Sequence, residues 1–175
     1  SYWGLSDYDN QFYGYEGSDQ FYSSNGDNIF YGHGGGDRLF AAGNGVNYFY
    51  GGDGSDYIGA GTTSYGIVNN LNNSLPLDQD LGQKLYGGKG NDKIYGTKFG
   101  DYYYYELGDG IDTIYENSPN INEFTIDKLY FNFSSSMVTF IREGNYLTIF
   151  LGDIDSTERI IRISNFYLGS NYEIE

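Results

Sequence analysis

Cysteine is absent from the 175 residues, so neither disulfides nor thiolate metal sites are available to hold the fold. That absence leaves the compartment open, because an ion-stapled secreted protein can do without disulfides. Proline occurs twice, and His33 is the single histidine. No G-x-S-x-G elbow and no H-E-x-x-H pair appears. His33 has no partner arrangement of the kind a general base needs, so catalysis is not expected. Basic residues are scarce: Lys and Arg total 9 against 24 Asp and Glu, for a net charge of −15 and a pI near 4.1. This argues against a nucleic-acid partner, which calls for a basic surface. No apolar run approaches the roughly 20 residues of a membrane helix. No signal peptide is read at the start, and the chain begins and ends inside a pattern, so a piece of a larger protein is expected. Disorder is not indicated, because 27 glycines sit among 19% aromatic residues.

What is abundant is a repeat. Gly51-Gly52-Asp53-Gly54-Ser55-Asp56-Tyr57-Ile58-Gly59 is echoed by Gly87-Gly88-Lys89-Gly90-Asn91-Asp92-Lys93-Ile94-Tyr95. Six residues must turn sharply and three must lie as a strand. Glycines at the first, second and fourth places permit positive φ and let carbonyls point inward together. The sixth-place Asp adds a carboxylate. The eighth residue points into the roll, and the seventh and ninth point out. Calcium takes six to eight hard oxygens, more than one turn supplies, so each ion is expected to staple two stacked turns.

Phasing from these copies gives repeats at 5–13, 14–22, 23–31, 32–40, 42–50 and 51–59. Their sixth places alternate: Asn10, Asp19, Asn28, Asp37, Asn47, Asp56. Two nonapeptides make one coil, so Asp19, Asp37 and Asp56 are expected to stack on one edge and Asn10, Asn28 and Asn47 on the other. The Asn edge is expected to be an amide ladder without ions, since a stacked amide both donates and accepts. The alternative is that Asn ligates calcium through its amide oxygen.

Residues 60–86 show no clear period and read as an inserted loop, with Asp78 and Asp80 on it. Repeats resume at 87–95, 96–104 (Asp101) and 107–115 (Asp112). If the insertion keeps parity, Asp56 pairs with Asp101 and Asp92 with Asp112, which is the favoured expectation. A shift by one would pair Asp56 with Asp92. Ninth-place rings at Tyr13, Tyr22, Tyr31, Phe40, Tyr50, Tyr95, Tyr104 and Tyr115 form outward rows. Cross-strand stacking is the favoured role for them, and sugar or partner binding the other. From 116 the pattern changes to strands at Lys128–Phe133, Met137–Arg142, Tyr146–Leu151 and Arg159–Ile163, with a hairpin turn at Glu143-Gly144-Asn145. The expected organisation is a parallel β-roll over 1–115 and a small antiparallel β cap over 116–175, all-β throughout.

These motifs resemble the RTX (repeats-in-toxin, haemolysin-type calcium-binding) family. The resemblance extends to a post-repeat cap through Leu107–Ile114, Val138–Leu147 and Ile161–Phe166. It implies Ca²⁺ as the bound ion, about four per chain on the Asp pairing. It implies one site from Tyr15, Gly17 and Asp19 with Gly32, Gly34 and Asp37, and the next from His33, Gly35 and Asp37 with Gly51, Asp53 and Asp56. Carried along the same edge it takes in Gly52, Gly54, Gly88, Gly90, Asp92, Asp109 and Asp112, with Asp101 as a further ligand. It also implies type I secretion from a Gram-negative bacterium, folding outside the cell, and a parent polypeptide that is a toxin such as a cytolysin. An adhesin domain binding a host-cell surface or glycan is the alternative.

Overall fold

The computed structural model of the chain describes residues 1–4, 7–60, 62–63, 66–67, 82–97, 99–116, 126–152, 159–164 and 172–174. Alternating nonapeptide strands feed two sheets. One receives β1 (Tyr2–Trp3), β3 (Gln20–Ser23), β5 (Arg38–Ala41), β7 (Tyr57–Ala60), β11 (Lys93–Tyr95) and β13 (Asp112–Tyr115). The facing sheet receives β2 (Gln11–Tyr13), β4 (Ile29–Gly34), β6 (Tyr48–Asp53), β10 (Lys84–Lys89), β12 (Tyr102–Tyr105) and β14 (Asp127–Phe131). Neighbours in both run parallel, with the repeats in register. Thr62–Thr63 (β8) and Gly66–Ile67 (β9) pair antiparallel outside both sheets. The fold is the expected parallel β-roll.

The eighth places form the core. Phe12, Phe30, Phe49, Leu85, Tyr103 and Leu129 come from one sheet, and Phe21, Leu39, Ile58, Ile94 and Ile114 from the other, all buried. Phe30 stacks on Phe12 at 4.7 Å and on Phe49 at 4.8 Å. Each such side chain contributes about 1.5–3 kcal/mol on burial. The file is one residue wide per strand, so turns carry much of the remaining specification.

The inserted segment is shorter than expected. Its last residues, Lys84-Leu85-Tyr86, pair in β10 with Tyr48-Phe49-Tyr50 and with Tyr102-Tyr103-Tyr104. They end a further repeat, with Gln83 at the sixth place. This extra half-coil shifts the parity, so Asp56 and Asp92 share one edge and the expected Asp56–Asp101 pairing is wrong. Asp101 lies on the opposite edge, beneath Gln83. The Asp92–Asp112 pairing is as expected. Asp78 and Asp80 lie outside the described residues.

Beyond residue 116 the chain first continues the roll. β14 and Tyr172–Ile174 (β18) add parallel strands to one sheet, and β17 (Arg159–Ser164) adds one to the other. The antiparallel part is β15 (Val138–Glu143) and β16 (Tyr146–Leu151) with β17. Gly144, at φ 66°, and Asn145 make the hairpin turn between Glu143 and Tyr146.

Candidate metal centre: an aspartate edge and an amide edge

On one edge the sixth-place aspartates form a single file. The amide of each donates to Oδ1 of the next: Asp19 to Asp37, Asp37 to Asp56 and Asp56 to Asp92 at 2.7 Å, and Asp92 to Asp112 at 3.0 Å. The other oxygen is left over. Oδ2 of Asp37, Asp56 and Asp92 is buried with no hydrogen-bond donor among the described residues. At the half-buried end of the file, Asp19 Oδ2 accepts from the Tyr15 amide at 3.1 Å.

First-place glycines make room for these oxygens. A Cβ on Gly51 would lie 2.5 Å from Asp56 Oδ2, and one on Gly87 would lie 2.5 Å from Asp92 Oδ2 and 3.2 Å from Asp112 Oδ2. The same hypothetical atom on Gly14, Gly32 or Gly51 would collide with the first-place carbonyl of the next turn. Carboxylate and carbonyl oxygens therefore converge on a strip that only glycine leaves open. Fourth-place Gly17, Gly35, Gly54, Gly90 and Gly110 all have positive φ. His33 takes the second-place glycine conformation at φ 74°, with its side chain exposed.

The electrostatics follow from this crowding. Burial pushes Asp56 up to about 6, partly opposed by the Asp37 amide. Burial and then the Asp56 charge push Asp92 up to about 7, with Asp109 adding to the effect. Burial and then the Asp92 charge push Asp112 up to about 8. Asp37 and Asp109 are raised by burial as well. Buried acceptors without donors, lined by glycines and carbonyls, are the donor set a hard divalent cation takes.

The other ligands implied by the resemblance lie on this strip with qualifications. Gly34, Asp53 and Lys89 carbonyls at the third place accept from the fourth-place amides of Gly17, Gly35 and Gly54, and the Tyr15 carbonyl accepts from Gly34. Each keeps a second lone pair for a ligand. The Asp53 side chain points outward and pairs with Lys89 Nζ at 3.0 Å, so only its carbonyl can face an ion. Gly52 and Gly88 sit side by side at positive φ. The Asp109 side chain accepts from the Glu106 amide at 2.6 Å.

The opposite edge is built from amides. Asn10 Nδ2 donates to Asn28 Oδ1 at 2.9 Å, Asn28 to Asn47 at 2.8 Å, and Asn47 to Gln83 Oε1 at 2.8 Å. The backbone amides of the same asparagines donate to the same oxygens. Each Asn Nδ2 also donates within its own turn, to the carbonyl of Tyr8, Gly26 or Gly45. Asn28 and Asn47 are thereby saturated, with no lone pair or proton needing an ion.

The amide ladder stops at Asp101, which accepts from the Gln83 amide at 2.7 Å. There Asp101, Glu116 and Asp127 form a buried cluster, with carboxylate oxygens within 4.8 Å of one another. Glu116 and Asp127 were not expected as site residues. Asp127 could have been found from Lys128-Leu129-Tyr130, which copies Lys84-Leu85-Tyr86 and, like it, directly follows an acceptor. Glu116 follows a repeat and carries no signal of its own.

The ninth-place rings on the amide-side sheet stack into a column. Successive centroid distances are 5.0 Å for Tyr13–Tyr31 and Tyr31–Tyr50, 4.6 Å for Tyr50–Tyr86, 4.1 Å for Tyr86–Tyr104 and 5.1 Å for Tyr104–Tyr130. Tyr86 and Tyr130 complete what sequence had shown as a broken row. On the other sheet Tyr22 stacks on Phe40 and Tyr95 on Tyr115.

A parallel β-roll whose turns line up buried, donorless carboxylates is a cation-stapled repeat domain. The family model of the RTX calcium-binding nonapeptide repeat matches this chain in four copies, over residues 6–39, 40–62 and 84–103. Residues 6–103 thus carry RTX calcium-binding nonapeptide repeats, which support a calcium-binding protein of the RTX type. No match is found among curated proteins.

Proposed function

We propose that the chain is the calcium-driven folding module of a type I-secreted RTX protein of the toxin class, folding outside the cell. The observation that carries this is the file of buried Oδ2 atoms on Asp37, Asp56 and Asp92, which have no donor among the described residues. Calcium, when bound, supplies the positive charge that lets these carboxyls ionise. The aspartates, the first-place carbonyls and the glycine strip hold it between successive turns. Five stacked aspartates, Asp19 through Asp112, bound four such gaps, which supports about four ions on this edge. On this reading the carboxylates are ligands, and the chain itself carries no catalytic role.

Extracellular modules bind calcium at about 10⁻⁴–10⁻³ M, above cytosolic and near extracellular levels, so the same edge would leave the chain unfolded inside and folded outside. Ordering a residue costs roughly 1–2 kcal/mol, which a thin core meets poorly when its edge carboxylates repel. The secretion machinery and the remainder of the polypeptide are its partners on this reading. The adhesin alternative draws less support, because rings stacked at 4.1–5.1 Å cover one another's faces and leave edges for a sugar.

Circular dichroism with and without EDTA tests the proposal. The β signal is expected to collapse on chelation and return with calcium in excess. An unchanged spectrum would refute it.

A further inference from the structure

Asp101 and Asp127 continue the amide edge with acids in place of amides, and Glu116 joins them at the end of the other sheet's last glycine-rich repeat. Asp101 precedes β12, Glu116 directly follows β13, and Asp127 opens β14, so the three sit where the chain crosses from the last glycine-rich coil into the C-terminal strands. All are buried: Asp101 and Asp127 are 0% exposed and Glu116 is 4%.

Their oxygens are unequally provided for. Asp101 accepts from the Gln83 amide, and from the Thr97 amide and hydroxyl at 2.5 and 3.2 Å. Glu116 accepts from the buried Tyr103 hydroxyl. Asp127 Oδ1 accepts from the Asp101 amide at 2.9 Å, but its Oδ2 is buried with no hydrogen-bond donor among the described residues. The group beside it, Glu116, is itself an acceptor. Three carboxylates cannot share one buried space as anions unless something positive lies among them. Burial, then the neighbouring Glu116 and Asp101 charges, push Asp127 well above the usual carboxylate range. Gly96 forms part of the wall: a Cβ there would lie 2.8 and 2.9 Å from the two Glu116 oxygens.

We propose that Asp101, Glu116 and Asp127 hold a calcium ion of their own, distinct from those of the aspartate edge, and that it fastens the C-terminal strands to the roll. The donors are all hard oxygens, which selects calcium or magnesium over softer metals. The site shares only its ion with the folding-module reading. Its ligands lie on the amide edge, which otherwise takes none.

The test is calcium stoichiometry by calorimetry on the full chain, with Glu116→Gln, Asp127→Asn and Asp56→Asn compared with the parent. Glu116→Gln and Asp127→Asn are each expected to lose one ion and keep those of the aspartate edge. Asp56→Asn is expected to lose edge ions and keep this one. Unchanged stoichiometry in Glu116→Gln and Asp127→Asn, with Asp56→Asn still losing ions, overturns this site alone and means the acids hold protons instead. No calcium binding by the parent overturns the folding-module reading as well. Should both cluster variants fail to fold, a crystal of the parent grown in calcium decides. An ion at about 2.4 Å from the three carboxylates is expected, and its absence refutes the site.

Discussion

The Asp37 amide donates to Asp56 Oδ1 at 2.7 Å, and the second oxygen of Asp56 is left buried without a donor. On the opposite edge Asn28 makes the equivalent backbone bond to Asn47, and its side-chain nitrogen adds a second. One atom, oxygen or nitrogen, separates an edge that needs a cation from one that does not.

Replacing Asp56 with Asn should therefore have opposite effects in the two states. In EDTA, where the parent is expected to lose its β signal, the variant lacks a buried negative charge and gains a donor toward Asp92, so it should keep more β signal than the parent. In calcium it loses ligands for two adjacent gaps, and its melting temperature should fall below that of the parent by about 2–4 °C for each kcal/mol lost. Circular dichroism in EDTA and thermal melts in calcium check the crossing. A variant weaker in both would contradict it.

Asn28→Ala removes the amide that links Asn10 to Asn47. It leaves buried polar groups without partners, at about 1–3 kcal/mol. Because the ladder takes no ion, the denaturant midpoint in saturating calcium should fall while the calcium stoichiometry stays that of the parent.

The calcium-free chain should be more stable in mild acid than at neutral pH. Asp56, Asp92 and Asp112 stand at about 6, 7 and 8 in the fold, above the ordinary 3.8. The native state thus binds protons more tightly than the unfolded one. Its stabilisation is complete below about pH 4 and is lost as pH rises through 6 to 8. Asp109 faces Asp92 and Asp112 and adds to their repulsion, in the same direction. Circular dichroism in EDTA should accordingly show more β signal at pH 4.5 than at pH 8, and saturating calcium should reduce the difference.

Gly51→Ala should damage calcium binding without demanding a new backbone conformation. The added methyl would meet Asp56 Oδ2 and the Gly87 carbonyl. An affinity loss of about tenfold or more, equivalent to about 1.4 kcal/mol, is expected on calcium titration. Gly17→Ala is the contrast. It meets nothing within 4 Å, so its cost is backbone strain at φ 111° alone.

The repeats with glycine at their turns were legible because glycine is required where backbones approach, and the Asp/Asn alternation exposed the two edges. The repeat ending in Lys84-Leu85-Tyr86 was not, because Gln83 replaces Asn. Its longer side chain reaches the same slot in the ladder, but the letter does not match. Missing that half-coil cost the parity, and with it the placement of Asp101. The acid cluster was invisible for a different reason. Glu116 joins Asp101 and Asp127 only through the crossover between sheets, a relationship no local spacing records.

The most direct test of the central claim is a crystal structure of this chain grown in ample calcium. Ions are expected in the gaps Asp19/Asp37, Asp37/Asp56, Asp56/Asp92 and Asp92/Asp112, with none between Asn10, Asn28 and Asn47. Ions along the asparagine file, or aspartates facing one another with no ion between them, would contradict it.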